Sequence, residues 1–110
     1  MVIKITRRQL ICEVHNNTVG NQYHYLVHGK IYNEDYSKLK RFKFIVWFDG
    51  YDLLEFFDGD YTPDRILEYV DCAIESYTSM IIDFDNCNAF YEACNNSIEH
   101  YNAMAEGRYD

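Results

Sequence analysis

The sequence predicts an α+β domain: a small antiparallel β-sheet of three to four strands, followed by two α-helices packed on one of its faces. Three observations predict it. Residues 8–57 hold runs of β-branched and aromatic residues with period-two alternation. Residues 63–105 carry apolar residues at helical spacing. Strands first and helices later argues against a doubly wound parallel sheet, in which the two alternate.

The elements follow in chain order. Residues 8–15, RQLICEVH, read as a strand, NNTVGNQ as a turn-forming cluster, and 23–32, YHYLVHGKIY, as the returning strand of a hairpin. The polar stretch NEDYSKLK connects to the strongest strand, 41–49. There Phe42, Phe44, Val46 and Phe48 share one face, and Lys43, Ile45 and Trp47 the other. YDLLEFFDGD reads as a short fourth strand. Thr62 and Pro63 are a start signal, with Thr as N-cap and Pro at the first helical position. Asp64 falls in the first turn, where the helix dipole favours an acid. Ile66, Tyr69, Val70, Ala73, Ile74 and Tyr77 form the apolar stripe of this helix, near 63–78. Asp85 is read as the cap of a second helix, near 86–105 and ended by Gly107. Its inner face is Cys87, Phe90, Cys94, Ile98, Tyr101 and Ala105.

The 110 residues fit a single domain, 1–110, with one modest core. Hydrophobic content of 48% excludes intrinsic disorder. No apolar run approaches the roughly 18 residues a membrane span needs. The N-terminal stretch MVIKITRRQLICEV is too polar for a signal peptide, so a cytoplasmic chain is expected. In that setting Cys12, Cys72, Cys87 and Cys94 are expected as reduced thiols, with no metal and no cofactor.

Motifs for catalysis are missing from the pattern. No two cysteines stand at the close C-x2-4-C spacing of zinc ligands. Cys72 and Cys87 can meet between two packed helices, with Cys94 or His100 nearby, so these four are the candidate ligands if a metal binds. His24 and His28 lie about 13 Å apart along a strand at ~3.3 Å per residue, too far to share an ion. DFDNCNAFYEAC opens like a calcium loop but has Asn88 for the turn glycine and Cys94 for the bidentate glutamate. An enzyme is not expected, and no residue is expected to be catalytic.

Charge is the informative signal. Net charge is −8. Residues 1–48 hold eight basic and three acidic side chains, a balance of +5, while 49–110 hold two basic and fifteen acidic, a balance of −13. Asp64, Glu68, Asp71 and Glu75 recur at helical spacing, although like charges so placed destabilise a helix. Asp58 and Asp60 precede them, and Glu92, Glu99 and Glu106 are read as a parallel line on the second helix. Carboxylates at these intervals can stand where nucleic-acid phosphates belong in a cationic groove. Tyrosines among them, such as Tyr51, Tyr61, Tyr69, Tyr77, Tyr91, Tyr101 and Tyr109, suit an interface.

In the acid series Asp58, Asp60, Asp64, Glu68, Asp71 and Glu75, and in its Asn- and Tyr-rich composition, the chain resembles in style the small acidic phage-encoded inhibitors such as anti-CRISPR proteins. The resemblance implies a non-enzymatic inhibitor acting in the host cytoplasm. It would bind a basic partner, a nuclease or effector complex, by nucleic-acid mimicry, through the series above with Glu92 and Glu99, with no direct nucleic-acid binding and no membrane contact expected. Two alternatives stand beside it. Arg7, Arg8, Lys38, Lys40, Arg41 and Lys43, with Tyr23, Tyr25, Phe42 and Trp47, can make a basic aromatic sheet face for single-stranded nucleic acid. The oppositely charged halves can also pair two copies, as in a homodimer.

Overall fold

The computed structural model describes residues 1–14 and 21–106. Strands β1 (Val2–Val14), β2 (Gln22–Tyr32) and β3 (Leu39–Asp49) form one antiparallel sheet in that order. The expected α+β order, sheet and then helices, is the observed one. β1 begins at Val2, well before residue 8, because Ile3 and Ile5 continue the inward alternation opposite Ile31 and Gly29. The turn cluster between β1 and β2, apart from Asn21 and Gln22, lies outside the described residues.

One sheet face holds the core. Phe42, Phe44, Val46 and Phe48 are buried there, opposite Gly29, Val27, Tyr25 and Tyr23 of β2. Leu53, Ile66, Val70, Ile74, Ile81, Cys87, Phe90 and Cys94 cover them. At Gly29 the sheet depends on a missing side chain. A Cβ there would lie 2.2 Å from Phe42 Cζ, so the Phe42 ring occupies the space over the glycine. Gly29→Ala is expected to lower stability by about 1–3 kcal/mol through overpacking. Gly50→Ala is the control, since its Cβ would meet nothing nearer than 3.7 Å. Equal urea midpoints for both variants would show that the Phe42 ring yields freely.

The segment after β3 is a helix, not a fourth strand: α1 (Gly50–Phe56). A reciprocal capping box decides this. Asp52 N–H donates to Asp49 Oδ1 at 2.9 Å, and Asp49 N–H donates to Asp52 Oδ2 at 3.0 Å. Leu53 then buries as the helix's inward residue. Past α1, Asp58 takes a left-handed φ of 52° and Gly59 a φ of 132°, which breaks the helix.

Thr62 does not cap through its side chain. Pro63–Arg65 forms a 3-10 turn in which Arg65 N–H bonds the Thr62 carbonyl, and helix α2 (Ile66–Thr78) follows directly. Helix α3 is Asn88–Ala105. Asp85 is not its cap; Asp83 Oδ1 instead accepts the N–H groups of Asp85 and Asn86, closing a turn just ahead of the helix. Gly107, read as its stop, lies outside the described residues. Among the described residues no helix is long and apolar enough to cross a membrane.

α3 does not simply lie on the core face; it straddles the outer edge of β3. Its first half packs Phe90 against Phe42, with ring centroids 5.0 Å apart. Its second half reaches the opposite face, where His100 meets Trp47 at 5.3 Å and Tyr101 meets His24 at 5.3 Å. Between these, Ile45 N–H donates to Ser97 Oγ at 3.0 Å and the Tyr91 hydroxyl donates to the Arg41 carbonyl at 2.6 Å. Free edge groups of a sheet invite pairing with other chains, and α3 occupies these.

Candidate functional site

Two charged surfaces result, on opposite sides of the sheet. The first is the helical layer. α1 and α2 pack through Phe56 and Tyr69, 5.2 Å between ring centroids, so their outer sides are continuous. Asp52, Glu55, Asp58, Asp60, Asp64, Glu68 and Glu75 are all exposed on it. Among described residues 49–106, Arg65 is the one Lys or Arg. Its guanidinium lies 4.4 Å from the Phe57 ring centroid and 3.5 Å from Glu68 Oε2. Tyr51 and Leu54 stand exposed among these acids.

Asp71 leaves the acid series. Its Oδ2 pairs with Arg8 Nη1 of β1 at 2.8 Å, and its Oδ1 is buried without a hydrogen bond. The helical period that aligns Asp71 with Glu68 and Glu75 carries no information about Arg8, 63 residues away. Glu92 and Glu99 are exposed on α3. They do not extend the α2 line in parallel: Asp71 ties the acidic flank of α2 to β1, whereas α3 lies along β3, the opposite edge strand. Several tyrosines serve packing. Tyr69 and Tyr77 lie against Phe48 and Phe44, and Tyr91 bonds the β3 edge. Tyr109 lies outside the described residues.

The second surface is the open sheet face. Register places Lys4, Lys30 and Arg41 side by side across three strands, and Arg7, His28 and Lys43 in the adjacent row. A bulge between Ile5 and Arg7 turns Arg7 to this face and Arg8 to the other. The expected basic aromatic set is therefore divided. Tyr23, Tyr25, Phe42, Arg8 and Lys40 belong to the core side, and Lys40 Nζ bonds the Phe84 carbonyl at 2.7 Å. Lys4, Lys30 and His28 join the open face; alternation along β2 was the signal for Lys30 and His28, whereas Lys4 is placed there by the β1–β2 register.

All four cysteines are free thiols. Cys72 is exposed on α2, while Cys87 and Cys94 are buried. Burial pushes the Cys94 thiol up to about 12 and raises Cys87 as well. Among the described residues no group of three or more His, Cys, Asp and Glu is placed to hold a metal ion. A groove of about 450 Å³ between α2 and α3 is lined by Tyr69, Tyr77, Asn96 and Ser97. The Ser97 hydroxyl is engaged there, accepting from Ile45 and donating to the Cys94 carbonyl at 2.8 Å.

His24 is fully buried, and neither ring nitrogen has a hydrogen-bond partner. Burial, and then nearby His100, lower its pKa below the ordinary 6.5. The native state thus holds His24 neutral, and the unfolded chain binds the extra proton. Stability is fully present above pH 6.5 and falls as pH drops through that value. The expected slope is at most about 1.4 kcal/mol per pH unit. Urea midpoints between pH 7.5 and 5 should show a decline that His24→Leu flattens; an equal decline in the variant would assign it to other groups.

No protein-family model, curated protein or solved structure matches this chain.

Proposed function

We propose that this chain is a non-enzymatic protein-binding inhibitor. Its acidic helical layer occupies a cationic, nucleic-acid-binding surface on a nuclease or effector complex in the cytoplasm, as its resemblance to anti-CRISPR-type phage proteins implies. One observation carries the reading: seven exposed carboxylates on α1, α2 and the turn between them, with Arg65 the one Lys or Arg among described residues 49–106 and Arg8 of β1 paired with Asp71 at the flank. A solvated face has no need to exclude cations so fully. Exposed Tyr51 and Leu54 supply the apolar contacts that a purely electrostatic surface lacks. Asp64, Glu68 and Glu75, with Asp58 and Asp60, are the residues assigned to the contact.

The test is affinity capture from a host lysate, followed by competition. The expected partner is a nucleic-acid-handling protein that duplex DNA displaces and that rising salt releases. A partner that DNA leaves in place would refute mimicry.

A further inference from the structure

We propose that the open face of the sheet is a binding surface for single-stranded nucleic acid. It lies across the sheet from the acidic layer, and neither assignment rests on the other. The register places five Lys or Arg in two adjacent rows: Lys4, Lys30 and Arg41, then Arg7 and Lys43 flanking His28. That is half of the ten Lys and Arg in the chain. The strand positions of this face from Val2 to Trp47 carry no Asp or Glu. Arg7, Lys30, Arg41 and Lys43 make no salt bridge with a carboxylate among the described residues. Like charges directly opposite across strands are destabilising. Five cations held this way, without counter-charges, fit an external polyanion.

The geometry of the patch favours a strand with bases over a plain acidic surface. Adjacent rows are about 6.6 Å apart along the strands, and each row spans roughly 10 Å across three strands. Trp47 stands on the same face, 48% exposed, four residues beyond Lys43. At ~3.3 Å per residue that is about 13 Å. Between the two, Ile45 is buried with its N–H bonded to Ser97 of α3, and His100 rests against Trp47, so Trp47 is a separate contact at the helix-covered end of this face. Trp47 offers a π-face for a base, and Tyr32, with Lys4 Nζ 5.7 Å from its ring centroid, offers a second at the basic end. A cleft of about 430 Å³ opens beside the cations, between Lys30, Arg41 and Lys43 and the α3 residues Tyr91, Asn95 and Ile98.

The net charge of −8 does not prevent this. The α2 acids lie beyond the sheet and a helix ~10–12 Å across. Screening at physiological salt acts over ~8 Å. At contact distance a phosphate therefore experiences the cationic rows more strongly than the distant acids. Glu92 and Glu99 on α3 are the acids of the edge helix, and they limit the patch on that side.

The chain's one tryptophan makes the test direct. Fluorescein-labelled oligothymidylate of about a dozen nucleotides is titrated at about 50 mM salt, with anisotropy and Trp47 emission read together. The expected result is a rise in anisotropy with parallel Trp47 quenching. Affinity should fall with salt at a log–log slope of roughly 2–4, from ~0.7 per phosphate contacted. Lys30→Gln/Arg41→Gln/Lys43→Gln should bind at least about tenfold more weakly, with an unchanged circular dichroism spectrum. No binding by the folded wild type would overturn the proposal. So would equal binding by the folded triple variant. Salt-sensitive self-association that these substitutions abolish, without oligonucleotide binding, would overturn it in favour of the acidic layer of a second copy. Binding to anionic vesicles alone would overturn it in favour of a lipid surface.

Discussion

Phe90→Ala is expected to remove about 3–5 kcal/mol of stability. Phe90 is fully buried and meets Phe42 edge-on at 5.0 Å and Phe44 at 6.4 Å. Total stability for such a chain is about 5–15 kcal/mol, so the loss is roughly a fifth or more of it. Phe90 is also the residue by which α3 grips the core face before crossing the β3 edge. Its truncation loosens the helix that supplies Ser97 and Tyr91 to that edge. The variant should therefore melt well over ~10 °C lower and aggregate on heating. Glu92→Ala, at an exposed position of the same helix, should stay within about 0.5 kcal/mol of wild type. A Phe90→Ala protein melting with the wild type would show that α3 is not docked as described.

Asp64→Asn/Glu68→Gln/Glu75→Gln is expected to separate binding from folding. Asp64 and Glu68 repel at a spacing of four residues, worth a few tenths of a kcal/mol. Glu68→Gln also loses the exposed contact with Arg65, worth ~0–1 kcal/mol at most. Melting should thus hold steady or change slightly. Affinity for the captured cationic partner should fall by about tenfold or more, with a weaker salt dependence. Asp71→Asn is the informative contrast. It breaks the bridge to Arg8, so it should act on stability, by ~0–1 kcal/mol, and leave the partner's affinity nearly unchanged. Unchanged affinity in the triple variant would reduce the acidic layer to a solubility feature.

These contrasts also show which features were legible in the sequence. Alternation over 41–49 is read correctly because β3 buries one whole face, and a buried face enforces period two. The apolar stripe Ile66, Val70 and Ile74 is legible for the same reason at helical spacing. α1 is too short for periodicity to separate helix from strand, and its signal was the paired Asp49 and Asp52 cap. Asp71 looks identical to its neighbours until the tertiary fold delivers Arg8. The basic face needed two facts that alternation within one strand does not contain: the β1–β2 register, and the bulge that sends Arg7 and Arg8 to opposite sides. α3 was read as an ordinary face-packed helix, since its inward stripe does not reveal that the stripe's two ends meet opposite faces of the sheet.

The straddling helix has a consequence during synthesis. Strands β1 to β3 pair through neighbouring hairpins, and all three are complete once residue 49 is made. The edge of β3, however, waits for Ser97, which lies 52 residues after Ile45. At ~5–20 residues per second that interval is roughly 3–10 s. For those seconds a finished hairpin meander stands with one flank uncapped, on a chain still tethered to its ribosome. Neighbouring nascent chains on one message carry the same flank. The most hazardous moment for this protein is therefore before α3 emerges. Slower translation through residues 50–97 should lower soluble yield even though the finished fold is unaltered.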